Sequence, residues 1–327
     1  MKFLDKLLSS EIKRRKWEAI GYTVLISWLL TLLNIFVIGS YGIALFILIP
    51  LFIGVSSTFL YGYKNTTSQK VASKITLLTL SAYVAGLLVF AIEGIICIAM
   101  VFPLALILTG IGSAVGFVLA EKTIFRPKNI ITSMILFIVS IPLMAFVEKD
   151  SVPALTSVTT SIEINASPEA VWKNVVEFPE LTAPTELIFK SGIAYPTSAK
   201  IVGSGVGAIR YCNFNTGRFV EPITVWDSPR LLQFSVEEQP GPMKELSFWD
   251  IKAPHLHDYF VSKQGQFTLT AQANGTTRLE GTTWYYHKIA PAFYWEIWSN
   301  YIVHSIHQRV LSHIKSNAEH EKQAQSQ

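Results

Sequence analysis

The densest concentration of acid–base or metal-ligating side chains in this sequence is four histidines in two pairs: His255 and His257 in the run HLH, and His304 and His307 one helical turn apart. Neutral imidazole is a common zinc ligand, so four such rings would suffice for one ion. No H-E-x-x-H or C-x-x-C spacing supports that use, and nothing in the sequence brings the loop after Pro254 to the later pair. Hydrogen bonding in a core or at a cavity rim is therefore the expected role, and no metal is expected. Cys212 has no recognisable partner for a nucleophile, and Cys97 sits far away in an apolar run, so the two suggest no disulfide framework.

Three charged residues, Arg210, Glu221 and Glu280, fall in runs that read as strands. Alternation puts Arg278, Glu280, Thr282 and Trp284 on one face, and Leu279, Gly281, Thr283 and Tyr285 on the other. A carboxylate turned inward needs a cation such as Arg210, because an unpaired buried charge is costly. Such a pair could hold a ligand headgroup; otherwise each carboxylate is exposed or structurally paired. The other chemistry-bearing group is aromatic. Tyr294, Trp295, Trp298 and Tyr301 open a helix on which Trp295, Trp298, Ile302, Ile306, Val310 and Ile314 form a stripe at helical spacing, with Phe293 broadening its start. Such a face can fill a core, line a cavity or lie at a membrane interface.

The elements that must hold these residues divide at about residue 150. Charged residues make up 15% of the chain, against about 25% in soluble proteins, and the deficit belongs to the first part. Five apolar stretches, near residues 20–38, 41–61, 75–91, 95–119 and 130–147, each approach the ~20 residues needed to cross a bilayer as a helix. Residues 1–150 carry 13 bases and 7 acids, net +6; the remainder carries 14 and 16, net −2. The positive balance thus belongs to the apolar part and argues nothing for nucleic acid. Twelve of the 13 bases precede the first stretch or fall between the second and third or the fourth and fifth; Lys149 follows the last. This asymmetry predicts a cytoplasmic N-terminus and, after five crossings, an extracytoplasmic second part. Glu93 interrupts the third and fourth stretches and reads either as a hairpin-tip carboxylate or as an intramembrane functional group. Pro103, Gly110, Gly112 and Gly116 suggest a kink and close helix packing.

Residues 151–320 read as a small α+β domain followed by a polar tail at 321–327. A strand is predicted at about Thr156–Ile164, then a helix capped by Ser167 with Pro168 at its first position. Further strands are expected around Leu187–Tyr195, Gly207–Asn213, Arg218–Trp226, Leu231–Glu237, Tyr259–Ala271 and Thr276–Tyr286, with Asn274–Gly275 as a hairpin turn. A long helix over about Pro291–Glu319 closes the domain.

The opening SIEINASPEAVWKNVVEFPEL and the closing LEGTTWYY with its long aromatic helix resemble the START-related, or SRPBCC, superfamily of polyketide cyclases and lipid carriers. The resemblance covers residues 156 to about 319 and leaves the membrane part outside the common pattern. It implies a helix-grip fold, in which a curved antiparallel sheet and a long C-terminal helix enclose an elongated apolar cavity for a lipid or other hydrophobic small molecule, without a cofactor. It also favours a bacterial plasma membrane. Cavity candidates are then Arg210, Glu221, His255, His257, Glu280, Tyr285, Trp295, Trp298, Tyr301, His304 and His307. Related domains include cyclases and hydrolase-like enzymes, so cavity His and Glu residues acting as general acid or base are the alternative. A non-catalytic sensor or interaction module is a third reading.

Overall fold

The computed structural model describes residues 4, 7–65, 67–122, 127–244, 246, 254–256 and 258–325. The chain divides into two compact units, the first built mainly from Met1–Val152 and the second from Pro153–Leu246, His255–Lys288 and Ala292–Gln327.

The first unit is helical. Its elements are α1 (Ile12–Leu32, continued by a π-helical stretch Leu33–Ile38), α2 (π-helical Ala44–Leu48, then Ile49–Gly62), α3 (Gln69–Val89), α4 (Ile95–Lys122) and α5 (Pro127–Glu148). Among the described residues, five helices are long and apolar enough to cross a membrane. Glycine lets α2 and α4 meet backbone to backbone: a Cβ on Gly54 would strike the Thr109 carbonyl, and one on Gly112 or Gly116 the carbonyl of Leu51 or Val55. Gly110, expected in this contact, faces open space. Buried hydroxyls add directional bonds. Thr58 lies 2.8 Å from Thr76 and 2.9 Å from Ser113, Ser57 lies 3.2 Å from Thr76, and Thr31 meets Tyr83 at 2.6 Å. A lone Ser or Thr in an apolar run carries no periodic signal, so these bonds are not legible in the sequence.

The two ends of this bundle are chemically distinct. At one, the Arg15 guanidinium donates to the carbonyls of Ser9 at 2.7 Å and Tyr63 at 2.6 Å, joining the start of α1 to the end of α2. At the other, the Glu148 carboxylate accepts from Ser40 Oγ at 3.0 Å, Ile43 N–H at 2.8 Å and Ala44 N–H at 3.3 Å. A carboxylate there satisfies orphan amides of α2 and complements its dipole.

The second unit has one seven-stranded antiparallel sheet, ordered β1-β7-β6-β5-β4-β3-β2. The strands are β1 (Thr156–Ile164), β2 (Pro196–Val202), β3 (Ile209–Phe214), β4 (Gly217–Asp227), β5 (Leu231–Ser235), β6 (Phe260–Ala271) and β7 (Thr277–His287). Between β1 and β2 lie α6 (Pro168–Val176) and the single turn α7 (Leu187–Lys190). The predicted strand over Leu187–Tyr195 is therefore wrong. Its apolar run is a short helix that buries Phe189, and β2 takes up the next segment, which the Pro and small polar residues of YPTSAK had hidden. The long helix, α8, runs from Ala292 to Gln325, so the expected tail at 321–327 is helical as far as it is described.

One helix contacts both edges of this sheet: α8 packs on β1 and also reaches β2. Seven flat strands would span about 29 Å at ~4.8 Å spacing, whereas a helix is only about 10 Å wide. The sheet must curl around the helix. Register shifts at Pro196/Ser198, Ile223/Val225 and Ser262/Gln264 supply the local bends. The core between them contains Val171, Trp172 and Val175 of α6, Phe178, Phe234, Phe267 and Leu279, and Val310, Leu311 and Ile314 of α8. Ser167 caps α6 through the Ala170 N–H at 3.4 Å, and Pro168 starts it, as its sequence requires.

Candidate functional site

The sheet's inner face carries a buried charge pair. β3 and β4 set Arg210 directly opposite Glu221, and their side chains meet through Arg210 Nη1 and Glu221 Oε2 with 2% and 5% of the two residues exposed. Arg210 Nε donates to the Val176 carbonyl at 3.3 Å, and the guanidinium lies 5.4–5.6 Å from the ring centroids of Phe178, Phe234 and Phe267. Burial raises the Glu221 carboxyl above its ordinary range, and the guanidinium opposes that rise. Burial also works against the Arg210 charge, and the Glu221 carboxylate together with the Cys212 sulfur more than restores it. The guanidinium keeps its charge, as arginine does in proteins, and Glu221 is its paired acid. Two residues along β3, Cys212 shares this interior, where burial and then the Glu221 charge push its thiol up to about 12. That thiol is protonated at neutral pH and is no nucleophile.

A second polar group lies under the first half of α8. His307 is buried with both ring nitrogens engaged: Nδ1 lies 3.1 Å from Thr160 Oγ1, and Nε2 lies 2.7 Å from Thr283 Oγ1. His304 reaches the same Thr160 hydroxyl through Nδ1 at 2.8 Å, though its ring is otherwise exposed. Burial, then the nearby His304, holds His307 down to about 4, so the ring is neutral at physiological pH. Register explains the meeting. Val158 pairs with Thr283 and Thr160 with Gly281, so both threonines point from adjacent strands toward one turn of helix. Nearer the start of α8, the Tyr285 hydroxyl donates to Asn300 Oδ1 at 2.7 Å while its ring stacks on Phe260 at 4.9 Å. Burial, then the Glu296 charge, pushes that phenol up to about 12.

The remaining candidates disperse. Glu280 lies on the opposite face of β7 from Leu279 and Tyr285 and pairs with Arg278 at 2.9 Å, so it does not join Arg210. Trp295 is buried and Trp298 partly so, whereas Tyr301 is exposed. The line that faces the sheet is Trp295, Ser299, Val303, His307, Val310, Leu311, Ile314 and Ala318. Ile302 and Ile306, placed on it by spacing alone, are only half-buried at its margin. His257 lies outside the described residues, as does the side chain of His255; Pro254–Leu256 form a 3-10 turn. Among the described residues no group of three His, Cys, Asp or Glu side chains could hold a metal. Glu93 sits in the turn between α3 and α4. A polar groove on α8 has Ser312, Lys315, Ser316, Glu319, His320 and Gln323 as its lining; a single helix supplies every wall, so it encloses nothing.

No protein-family model matches the sequence, and the comparison with curated proteins found no match. Among solved structures, a protein from Nitrosospira multiformis is similar at 20% identity and a TM-score of 0.34, over 51% of this chain and 99% of that one. Truncated norcoclaurine synthase from Thalictrum flavum follows at 14% identity and 0.33, over 51% of this chain and 94% of that one. The Aha1 dimer from Colwellia psychrerythraea gives 15% and 0.30, over 50% and 96%. So remote a likeness decides nothing about function, which has to be argued from the side chains.

Proposed function

We propose that the chain is an integral membrane protein whose five apolar helices span a bacterial plasma membrane, with a cytoplasmic N-terminus. Its α+β domain is then extracytoplasmic and binds a hydrophobic small molecule or lipid between the first half of α8 and strands β1, β6 and β7. The twelve-to-one distribution of bases supports the orientation. The binding reading is carried by the chemistry of the domain's interior. Arg210 is paired with Glu221, His307 is held neutral between two threonines, and Cys212 and Tyr285 keep their protons. An interior whose charged residues are paired with each other suits an apolar guest, which this reading assigns to the region of Phe260, Tyr285, Trp295, Trp298 and Val303. The same engagement argues against acid–base catalysis, because Glu221 and His307 would each have to give up a buried partner to act. No cofactor is invoked. Proximity supplies the physical advantage: a tethered site exchanges a poorly soluble molecule with the bilayer without a long aqueous passage.

The test is mass spectrometry of lipid retained by the gently purified protein, beside the variant Val303→Trp. Val303 faces the sheet, and a tryptophan there occupies the volume assigned to the guest. The expected result is an enriched lipid species in the native chain, lost in a variant that still folds. Retained lipid no different from the bulk membrane extract, or a variant that unfolds because the volume is already full, would overturn the proposal.

A further inference from the structure

The first turns of α8 carry three large apolar side chains that the fold leaves in water. Phe293, Ile297 and Tyr301 are 67%, 64% and 53% exposed. Spaced four apart, they stand on one face of the helix as a ridge distinct from the buried Trp295–Ser299–Val303 line. Large apolar side chains gathered on one exposed helix face, rather than scattered singly, can mark an interaction site.

We infer that this ridge seats in the interfacial layer of a lipid bilayer, at the boundary of headgroups and acyl chains. The inference rests on the reading that α1–α5 span a membrane, and chain topology then names the occupant. β1 starts at Thr156, paired with Tyr285 near the end of β7, and α8 starts at Ala292 just beyond that strand. The point where the chain enters the domain and the point where α8 leaves the sheet are therefore at the same pole. α5 ends at Glu148, eight residues before Thr156. Even fully extended, eight residues reach at most about 28 Å. The pole bearing the ridge is thus on a leash shorter than a bilayer is thick, about 30 Å of hydrocarbon alone.

Side-chain chemistry at this pole agrees. Leu155, in the connection itself, is also exposed. Lys149 and Lys288, both exposed, flank the pole in sequence and can present ammonium groups to lipid phosphates, while Asp150 in the connection, Asp258 before β6 and Glu296 beside the ridge are the opposing charges. Tyr and Phe at headgroup depth, with lysine snorkelling beside them, is how helices lie in an interface. A second copy of the chain or a soluble partner would have to compete with a bilayer that the tether holds within reach.

Spin labels on the full chain in lipid nanodiscs test this, with Cys97 replaced by alanine and the buried Cys212 left in place. Labels go on I297C in the ridge, Q308C on the exposed side of the same helix about 16 Å further along, and V139C on an exposed position of α5. The expected result is a higher ratio of oxygen to aqueous nickel accessibility at 297 than at 308, with 139 higher still. An aqueous value at both 139 and 297 would sink the membrane-spanning reading itself. Lipid exposure at 139 with an aqueous value at 297 would overturn the ridge inference alone. So would strong dipolar coupling between 297 labels on two copies, which would assign the ridge to self-association.

Discussion

Replacing Glu221 by leucine should be among the most destabilising single changes in the α+β domain, and the reason is Arg210 rather than the lost carboxylate. The guanidinium is 2% exposed, its Nε contact to the Val176 carbonyl is 3.3 Å, and its three aromatic neighbours are already in place. Among the described residues, Glu221 is the acid paired with that guanidinium. Leaving a buried cation uncompensated costs about 3–5 kcal/mol. Glu221→Gln should cost less, because an amide oxygen can still accept a hydrogen bond worth about 1.5 kcal/mol from a charged donor. The double variant Arg210→Met with Glu221→Leu removes both desolvation penalties and should return to within about 1 kcal/mol of the parent or exceed it. Urea unfolding of the full chain in detergent can follow the fluorescence of Trp172 and Trp226, which meet edge to face at 5.6 Å in the same core. A cost below about 1 kcal/mol for Glu221→Leu, the level of an exposed pair, would refute the reasoning. So would a double variant no better than the single.

His307 should cost the domain stability on mild acidification, against the opposite contribution of the raised Glu221 carboxyl. His307 falls from an ordinary 6.5 to about 4 on folding, so the unfolded chain binds more protons between those values and stability drops as pH falls through that window. The full effect is about 3 kcal/mol, of which about 2 is gone by pH 5; His307→Gln should flatten the profile, and an unchanged profile would argue that the ring is solvated. His313, also lowered by burial and then by Arg309, adds in the same direction. Cys212 should resist a water-soluble maleimide at pH 8 in the folded protein and react in denaturant, since its thiol stands near 12. In the helical unit, Gly116→Val should push α4 off the Val55 carbonyl and lower the thermal midpoint in detergent, whereas Gly110→Val, facing open space, should leave it unchanged.

The parts of the fold that could be read from sequence were those where one residue type has one physical use. Ser167 followed by Pro168 opens a helix because an N-cap and a residue without an N–H suit its start, and Asn274–Gly275 turns a hairpin because Gly275 takes a φ of +79°. The apolar stretches showed themselves by length. Segments whose composition suits two structures misled: Leu187–Tyr195 is apolar enough for a strand, yet Phe189 is buried from a single helical turn. β2 begins at a proline, which is compatible with an edge strand, and there the pairing with β3 overrides local preference.

The candidate site was legible only in part, and the reason is geometric. Alternation along β7 correctly separates Glu280 from Tyr285, but it cannot say which face is inward; that depends on where α8 lies. Helical spacing has the same ambiguity, which is why Ile302 and Ile306 were drawn onto a line that Ser299, Val303 and His307 occupy instead. A polar residue in the middle of an apolar face looks like an error to a periodicity argument. Here Ser299 and His307 lie on the inward face, and Thr160 and Thr283, two strand residues more than a hundred positions apart, supply His307's partners. The rotation of the helix follows from those cross-strand hydroxyls as much as from its leucines and valines. For the same reason His304 and His307, identical side chains one turn apart, differ in burial and in how their ring nitrogens are engaged. Substituting Thr160 and Thr283 together by valine therefore tests the register of α8 more directly than removing any apolar residue. Losing both partners should leave the imidazole unsatisfied in the core, and deuterium exchange should rise first in the helix turns around residue 307.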